Sequence, residues 1–183
     1  MKRAIGLFDT AQVFIKPPKG LRQARGFSLI ELMVALGVLG IVTAIAVPSF
    51  NEAKLSMSLR SNANNLIASV QLARSEAIKS NATVRLCASN NGTSCSGTWR
   101  DGWVILNAAD NVIDYQQAIT TGYTLTETSG LTTLNFRPTG IGATQASLTL
   151  CRKTPSVGTQ ERVIGVSVTG KPSIKKTTTG SCS

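Results

Sequence analysis

The stretch Arg25–Phe50, RGFSLIELMVALGVLGIVTAIAVPSF, decides how the chain is organised. Its central 21 residues, 27–47, carry a single formal charge, that of Glu31. About 20 apolar residues in a helix are enough to cross the roughly 30 Å hydrocarbon core of a bilayer. The stretch therefore predicts a transmembrane helix. The arginines just before it predict a cytoplasmic start, which places everything after Pro48 outside the cytoplasm.

The position of Glu31 is unusual, because a carboxylate inside an apolar segment costs several kcal/mol unless it has a partner. An ordinary signal peptide fits the stretch poorly, since the apolar region is too long and lacks a small-x-small cleavage site at its end. A single-pass anchor that happens to contain an acid is the other simple interpretation. A functional carboxylate with a partner is the hypothesis that we carry forward.

The hexapeptide Gly26-Phe27-Ser28-Leu29-Ile30-Glu31 resembles the processing site of type IV prepilins and type II secretion pseudopilins. The resemblance implies that a prepilin peptidase cleaves between Gly26 and Phe27 and methylates the new Phe27 amine. Glu31 then becomes the fifth residue of the mature chain. Pro48 becomes its twenty-second residue, which matches the helix-kinking proline of these proteins.

Length and charge indicate one modest domain besides the anchor. The chain has 183 residues and a formal charge of +10, with 19 Lys and Arg against 9 Asp and Glu. Residues 1–26 are predicted to be a prepilin leader, and they contribute +5 of that charge. The remaining +5 belongs to the predicted mature chain.

Beyond Pro48 the helix is expected to continue, because a kinked membrane helix need not end at a proline. Apolar residues spaced by three and four mark one helical face: Leu59, Ala63, Leu66, Val70, Ala73 and Ala77. Ile67 and Ile78 widen this face. The helix should end near Lys79-Ser80-Asn81. We therefore predict a transmembrane part over 27–48 and an amphipathic part over 49–81.

Residues 82–183 contain short runs rich in Val, Ile, Leu and Thr, separated by turn residues, and predict a β-rich domain. Strands are expected at 83–88, 103–107, 112–115, 123–126, 132–137, 147–153 and 162–169. The predicted fold class is α+β, with the amphipathic helix packed on an antiparallel sheet. The segments 72–79, Leu86-Cys87 and Asp101-Gly102-Trp103 resemble the GspH/FimT family of minor pilins and pseudopilins, so a periplasmic pilin domain is implied.

All four cysteines, Cys87, Cys95, Cys151 and Cys182, follow the anchor, so the predicted topology places them in an oxidising compartment. Four cysteines allow three connectivities. We prefer Cys87–Cys95 and Cys151–Cys182. A metal site is the alternative, but the spacings are not those of C-x₂-C pairs and the chain has no histidine.

The sequence does not predict an enzyme. Without histidine the commonest general acid–base residue is missing, and the acidic residues form no motif with a nucleophile. No cofactor is expected either.

The C-terminal part is basic: from Arg137 onward seven Lys and Arg residues face one acid, Glu161. Such a cluster is typical of polyanion binders, although a solvated tail is the simpler interpretation. FimT-type proteins implicated in DNA uptake carry a Gly-Arg-x-Arg motif. Gly170-Lys171-Pro172-Ser173 corresponds to it here with both arginines replaced. Lys171, Lys175 and Lys176 remain candidate phosphate contacts.

These observations predict a minor pilin of a bacterial type IV pilus, held in the inner membrane with its C-terminal domain in the periplasm before it enters the filament. Its expected partners are prepilin peptidase and other pilins or pseudopilins, contacted through the N-terminal helix. A GspH-type pseudopilin of a type II secretion system is the alternative. A DNA-binding minor pilin for natural transformation is the alternative from another class.

Overall fold

A computed structural model describes residues 26–141, 143–154 and 161–178. It divides into two units, with the boundary between Ile45 and Ala46. One helix, α1 (Leu29–Ser80), includes this boundary, and Pro48 lies inside it. The predicted continuation of the helix past Pro48 is confirmed. The kink at Pro48 and the four predicted domain boundaries stay predictions.

In the second unit, α1 buries one face. The six positions predicted for that face are at most 3% exposed: Leu59, Ala63, Leu66, Val70, Ala73 and Ala77. Ile67 packs at the edge of the core, as predicted. The prediction for Ile78 is wrong, because its side chain is 48% exposed at the margin of the face. The helix ends at Ser80, and Asn81 follows in the left-handed conformation common after helix ends.

Eight strands follow the helix: β1 (Val84–Ala88), β2 (Gly102–Leu106), β3 (Val112–Gln117), β4 (Tyr123–Glu127), β5 (Thr133–Phe136), β6 (Ala146–Arg152), β7 (Glu161–Val166) and β8 (Pro172–Thr177). They form two antiparallel sheets of four strands, in the orders β3-β2-β1-β5 and β4-β6-β7-β8. A short 3₁₀ helix, Trp99–Asp101, precedes β2.

The predicted α+β class is confirmed, with two corrections. The strands form two sheets, whereas we predicted one. The basic segment expected to be a tail contains β8, which pairs with β7 along its whole length. The sequence did not predict this strand because Pro172, Lys175 and Lys176 are poor strand formers. Such residues are tolerated at a sheet edge.

The buried face of α1 and one face of each sheet meet in a single core. Three polar contacts join the helix to the sheets. The Trp103 ring N–H donates to Ser69 Oγ at 2.8 Å, and the Tyr123 hydroxyl donates to the Leu55 carbonyl oxygen at 2.8 Å. The Arg152 guanidinium forms an ion pair with Glu52, with a shortest N–O distance of 2.9 Å. The first contact fixes one sheet against α1, and the other two fix the second sheet.

Asp101-Gly102-Trp103 is a structural motif in this fold. The Asp101 carboxylate accepts hydrogen bonds from the backbone N–H and the hydroxyl of Thr98, at 3.0 and 2.8 Å, and so caps the 3₁₀ helix. Gly102 has φ 120° and ψ −174°, a conformation almost restricted to glycine. A Cβ there would lie 2.5 Å from the Gln116 carbonyl oxygen. The motif therefore turns the chain tightly into β2 and delivers Trp103 to the core.

Gly102→Ala is predicted to lower the free energy of unfolding by more than about 3 kcal/mol, because it adds a clash with β3 to backbone strain of about 1–3 kcal/mol. Gly130→Ala is the matched control: φ is 75° there, but the added Cβ meets nothing within 4 Å. This control should cost only about 1–2 kcal/mol. Denaturant unfolding of the two variants measures the difference. Equal losses would contradict the close approach of Gly102 to β3.

Candidate functional site

The processing and assembly residues predicted from the sequence lie at the start of α1. Gly26, Phe27 and Ser28 precede the helix, and the Ser28 carbonyl oxygen accepts the first helical hydrogen bond, from Leu32 N at 3.1 Å. This bond makes Ser28 the N-cap residue, and Glu31 lies in the first turn. The helix N-terminus carries partial positive charge, so a carboxylate is favourable there. Residues 1–25, which hold most of the predicted leader, are outside the described residues.

The first unit is apolar on all sides of the helix. Twelve large apolar residues between Phe27 and Ile45 are each more than half exposed, from Val42 at 54% to Phe27 at 80%. By length and composition α1 can cross a membrane. A contiguous exposed apolar surface of this kind marks contact with lipid or with another protein. Glu31 is the one formal charge on this surface.

One predicted disulfide is confirmed. Cys87 and Cys95 are bonded, with their Cα atoms 5.4 Å apart. The bond closes a loop that folds back onto the sheet, where Gly92 lies against the Tyr115 ring. Cys151 is also disulfide-bonded. Its predicted partner Cys182 lies outside the described residues, so that pairing stays a prediction.

The three candidate DNA-contacting lysines are exposed and lie on or just before β8. Lys175 is opposite Val163 and Lys176 is opposite Arg162 on β7. Adjacent residues of a strand point to opposite faces of a sheet, so these two lysines project in opposite directions. A duplex resting on one face would meet only one of them directly. DNA contact through Lys171, Lys175 and Lys176 stays a prediction.

Three acidic residues of the β-rich unit have structural roles. Asp101 caps the 3₁₀ helix, and the hydrogen bond from the Thr98 hydroxyl, with that from the Thr98 backbone, lowers the pKa of its carboxyl. Asp110 forms an ion pair with Arg85, and Glu127 accepts hydrogen bonds from the backbone N–H groups of Ser129 and Leu131. Within the described ranges, no three His, Cys, Asp or Glu side chains are grouped so that they could hold a metal ion.

Comparison with known families identifies the chain. The model of the family described as type II transport protein GspH matches residues 62–170, and the prokaryotic N-terminal methylation motif matches residues 21–47. The chain belongs to the GspH family. The matched region begins within the second unit and includes the Asp101-Gly102-Trp103 motif, and the methylation motif contains Gly26, Phe27 and Glu31.

One solved structure shares the fold of this chain. The type IV minor pilin FimU of Pseudomonas aeruginosa superimposes with a TM-score of 0.54 and 23% identity, over 69% of this chain and 92% of FimU. The minor pseudopilin EpsH of the Vibrio cholerae type 2 secretion system gives a TM-score of 0.47 and 15% identity, over 67% and 98% of the two chains. No curated protein sequence gives a significant match.

The burial of two basic residues escaped the sequence analysis. Arg152 was counted with the exposed cations, but it is 8% exposed and paired with Glu52. Arg74 lies off the predicted apolar face of the helix, but its Nε is buried. Neither position carries a local signal, because each side chain is covered by elements distant in sequence.

The membrane-extracted protein is predicted to begin at Phe27 with a methylated amine. The peptidase site would then be Gly26-Phe27, where Gly26 has open space around its Cα. Intact-mass and N-terminal peptide spectrometry measure this directly, with a Gly26→Leu variant as the uncleaved control. A native chain that begins at Met1, or that is cut after Ala46, would contradict the assignment.

Proposed function

We propose that the chain is a minor pilin, a structural or assembly subunit of a bacterial type IV pilus. The observation that carries the proposal is the uncovered apolar surface of residues 27–45 with one carboxylate in its first turn. Such a surface needs lipid before assembly and neighbouring helices after it. The fold shared with FimU supports a pilus subunit, and no catalytic role is proposed.

Glu31 supplies the specific contact in this proposal. In a bundle of like helices its carboxylate pairs with the Phe27 amine of an adjacent subunit. Removing one partner of a buried ion pair leaves an uncompensated charge, which is strongly unfavourable. The contact would therefore fix the register of each entering subunit. Prepilin peptidase would be needed first, because cleavage creates that amine.

The alternative is a GspH-type pseudopilin of a type II secretion system. The description of the matched family as a type II transport protein favours it. The same helix, carboxylate and processing chemistry serve both roles, and the two differ only in the filament that the subunit enters. In either case the chain would be held in the inner membrane by residues 27–48, with its C-terminal domain in the periplasm.

Glu31→Ala is predicted to leave cleavage and folding intact and to reduce the amount of the chain in sheared surface pili by at least about tenfold, because a lost ion-pair partner costs about 3–5 kcal/mol. Thr43→Ala is the matched control, since that hydroxyl bonds only to carbonyl oxygens of its own helix, at Leu39 and Gly40. Quantitative mass spectrometry of the pili measures incorporation.

Normal incorporation of the Glu31 variant would refute the pairing role. If the wild-type chain is absent from pili and deletion of its gene abolishes protein secretion, the pseudopilin role is favoured over the minor pilin role.

A further inference from the structure

A groove with two cationic side chains lies where the last turns of α1 pass the start of β8. Its cavity has a volume of about 360 Å³. Its lining residues are Gln71, Arg74, Ser75, Ile78, Lys171 and Pro172. The helix supplies the wall that contains Arg74, and the chain between β7 and β8 supplies the wall that contains Lys171. We call this cavity the Arg74 groove.

Two glycine turns border the Arg74 side chain, and the Gly170 turn lies close against it. Gly170 has φ 68°, and a Cβ there would lie 3.1 Å from Arg74 Cδ and 3.2 Å from the Phe136 ring. Gly140 also has φ 68°, and a Cβ there would lie 3.7 Å from Arg74 Nη2. Both turns adopt a backbone conformation that favours glycine. A larger residue at Gly170 would therefore press on the stem of the Arg74 side chain.

The Arg74 guanidinium lacks a partner of opposite charge in the part of the chain that the structure describes. Its Nε is buried without a hydrogen bond. The ion pairs seen within the described ranges include those of Lys79, Arg85 and Arg152, and none of these involves Arg74. Among the residues that the structure describes, no acidic one lines the groove. The groove therefore presents the Arg74 guanidinium and the Lys171 ammonium with no described acid beside them, an arrangement that favours an oxyanion from outside the chain.

We propose that the Arg74 groove binds the carboxylate of an acidic, apolar-flanked segment of a partner protein. A guanidinium presents a planar fork that matches the two oxygens of a carboxylate, and Lys171 adds a second cation from the opposite wall. Apolar surface lies beside these charges. Ile78 is 48% exposed and Ile174, on the same face of β8 as Pro172, is 40% exposed. Apolar residues that flank the carboxylate in the partner segment would cover this surface.

A nucleic-acid backbone fits these features less well. A surface that binds a nucleic-acid backbone presents a row of cations to successive phosphates. The Arg74 groove has only one guanidinium and one ammonium, and both face a single cavity. The exposed side chains of Ile78 and Ile174 make no favourable contact with a charged phosphodiester.

The test uses the full chain in detergent micelles and fluorescence anisotropy of two labelled peptides, acetyl-Ala-Leu-Glu-Leu-Ala-amide and the same peptide with Gln in place of Glu. The Glu peptide should bind saturably and the Gln peptide at least about tenfold more weakly, since hydrogen bonds to charged groups are the stronger ones. Arg74→Gln and Lys171→Gln should each lower the affinity for the Glu peptide by roughly tenfold. Arg60→Gln, at an exposed position of α1 outside the groove, should not.

Lys171 is exposed, so Lys171→Gln should not disturb folding. That variant therefore tests the groove even if Arg74→Gln lowers the stability of the protein. Equal affinity for the two peptides, or no saturable binding at low-millimolar peptide, would overturn the proposal. A 20-base-pair duplex and inorganic phosphate serve as competitors. If the duplex binds more tightly than the Glu peptide and loses affinity in the same two variants, the groove is a phosphodiester site and the carboxylate assignment is wrong. The proposal does not depend on which filament the chain enters.

Discussion

The structure depends on one constraint, which is that α1 has to satisfy two environments along its length. From Leu29 to Ile45 it is apolar on every side, and nothing in the described part of the chain covers it. From Leu59 to Ala77 only one face is apolar, and the two sheets cover that face. A helix that is apolar all round lies in lipid or among other helices, whereas a one-faced helix lies on a domain surface. The proposed passage from membrane to filament follows from this division.

The β-rich unit holds its part of α1 through polar contacts placed among apolar ones. Trp103 reaches Ser69 from one sheet, while Tyr123 and Arg152 reach Leu55 and Glu52 from the other. The buried stripe supplies most of the packing area, and these directed bonds fix the register of each sheet against the helix. The Asp101-Gly102-Trp103 motif, which lies within the region matched by the family model, is therefore explained by packing.

The sequence predicted those features that depend on local pattern. The stripe from Leu59 to Ala77, seven strands and the Cys87–Cys95 bond each have a short-range signal, namely helical spacing, β-branched runs or cysteine proximity. The eighth strand lacked such a signal, because Pro172, Lys175 and Lys176 are held in place by β7. Arg74 and Arg152 were misplaced for the same reason. Arg74 lies beside two loops that follow it by 66 and 96 residues, and Arg152 pairs with a helix residue 100 residues away, and no local pattern records such contacts.

The most direct test of the divided helix is labelling of single added cysteines in intact inner membranes with a membrane-impermeant maleimide. Val38→Cys lies in the all-apolar part of α1, and Gln71→Cys lies on the exposed face of the one-sided part. The account predicts that Val38→Cys stays unlabelled until the membrane is dissolved by a denaturing detergent, whereas Gln71→Cys is labelled once the reagent enters the periplasm. Rapid labelling of Val38→Cys in intact membranes would contradict it.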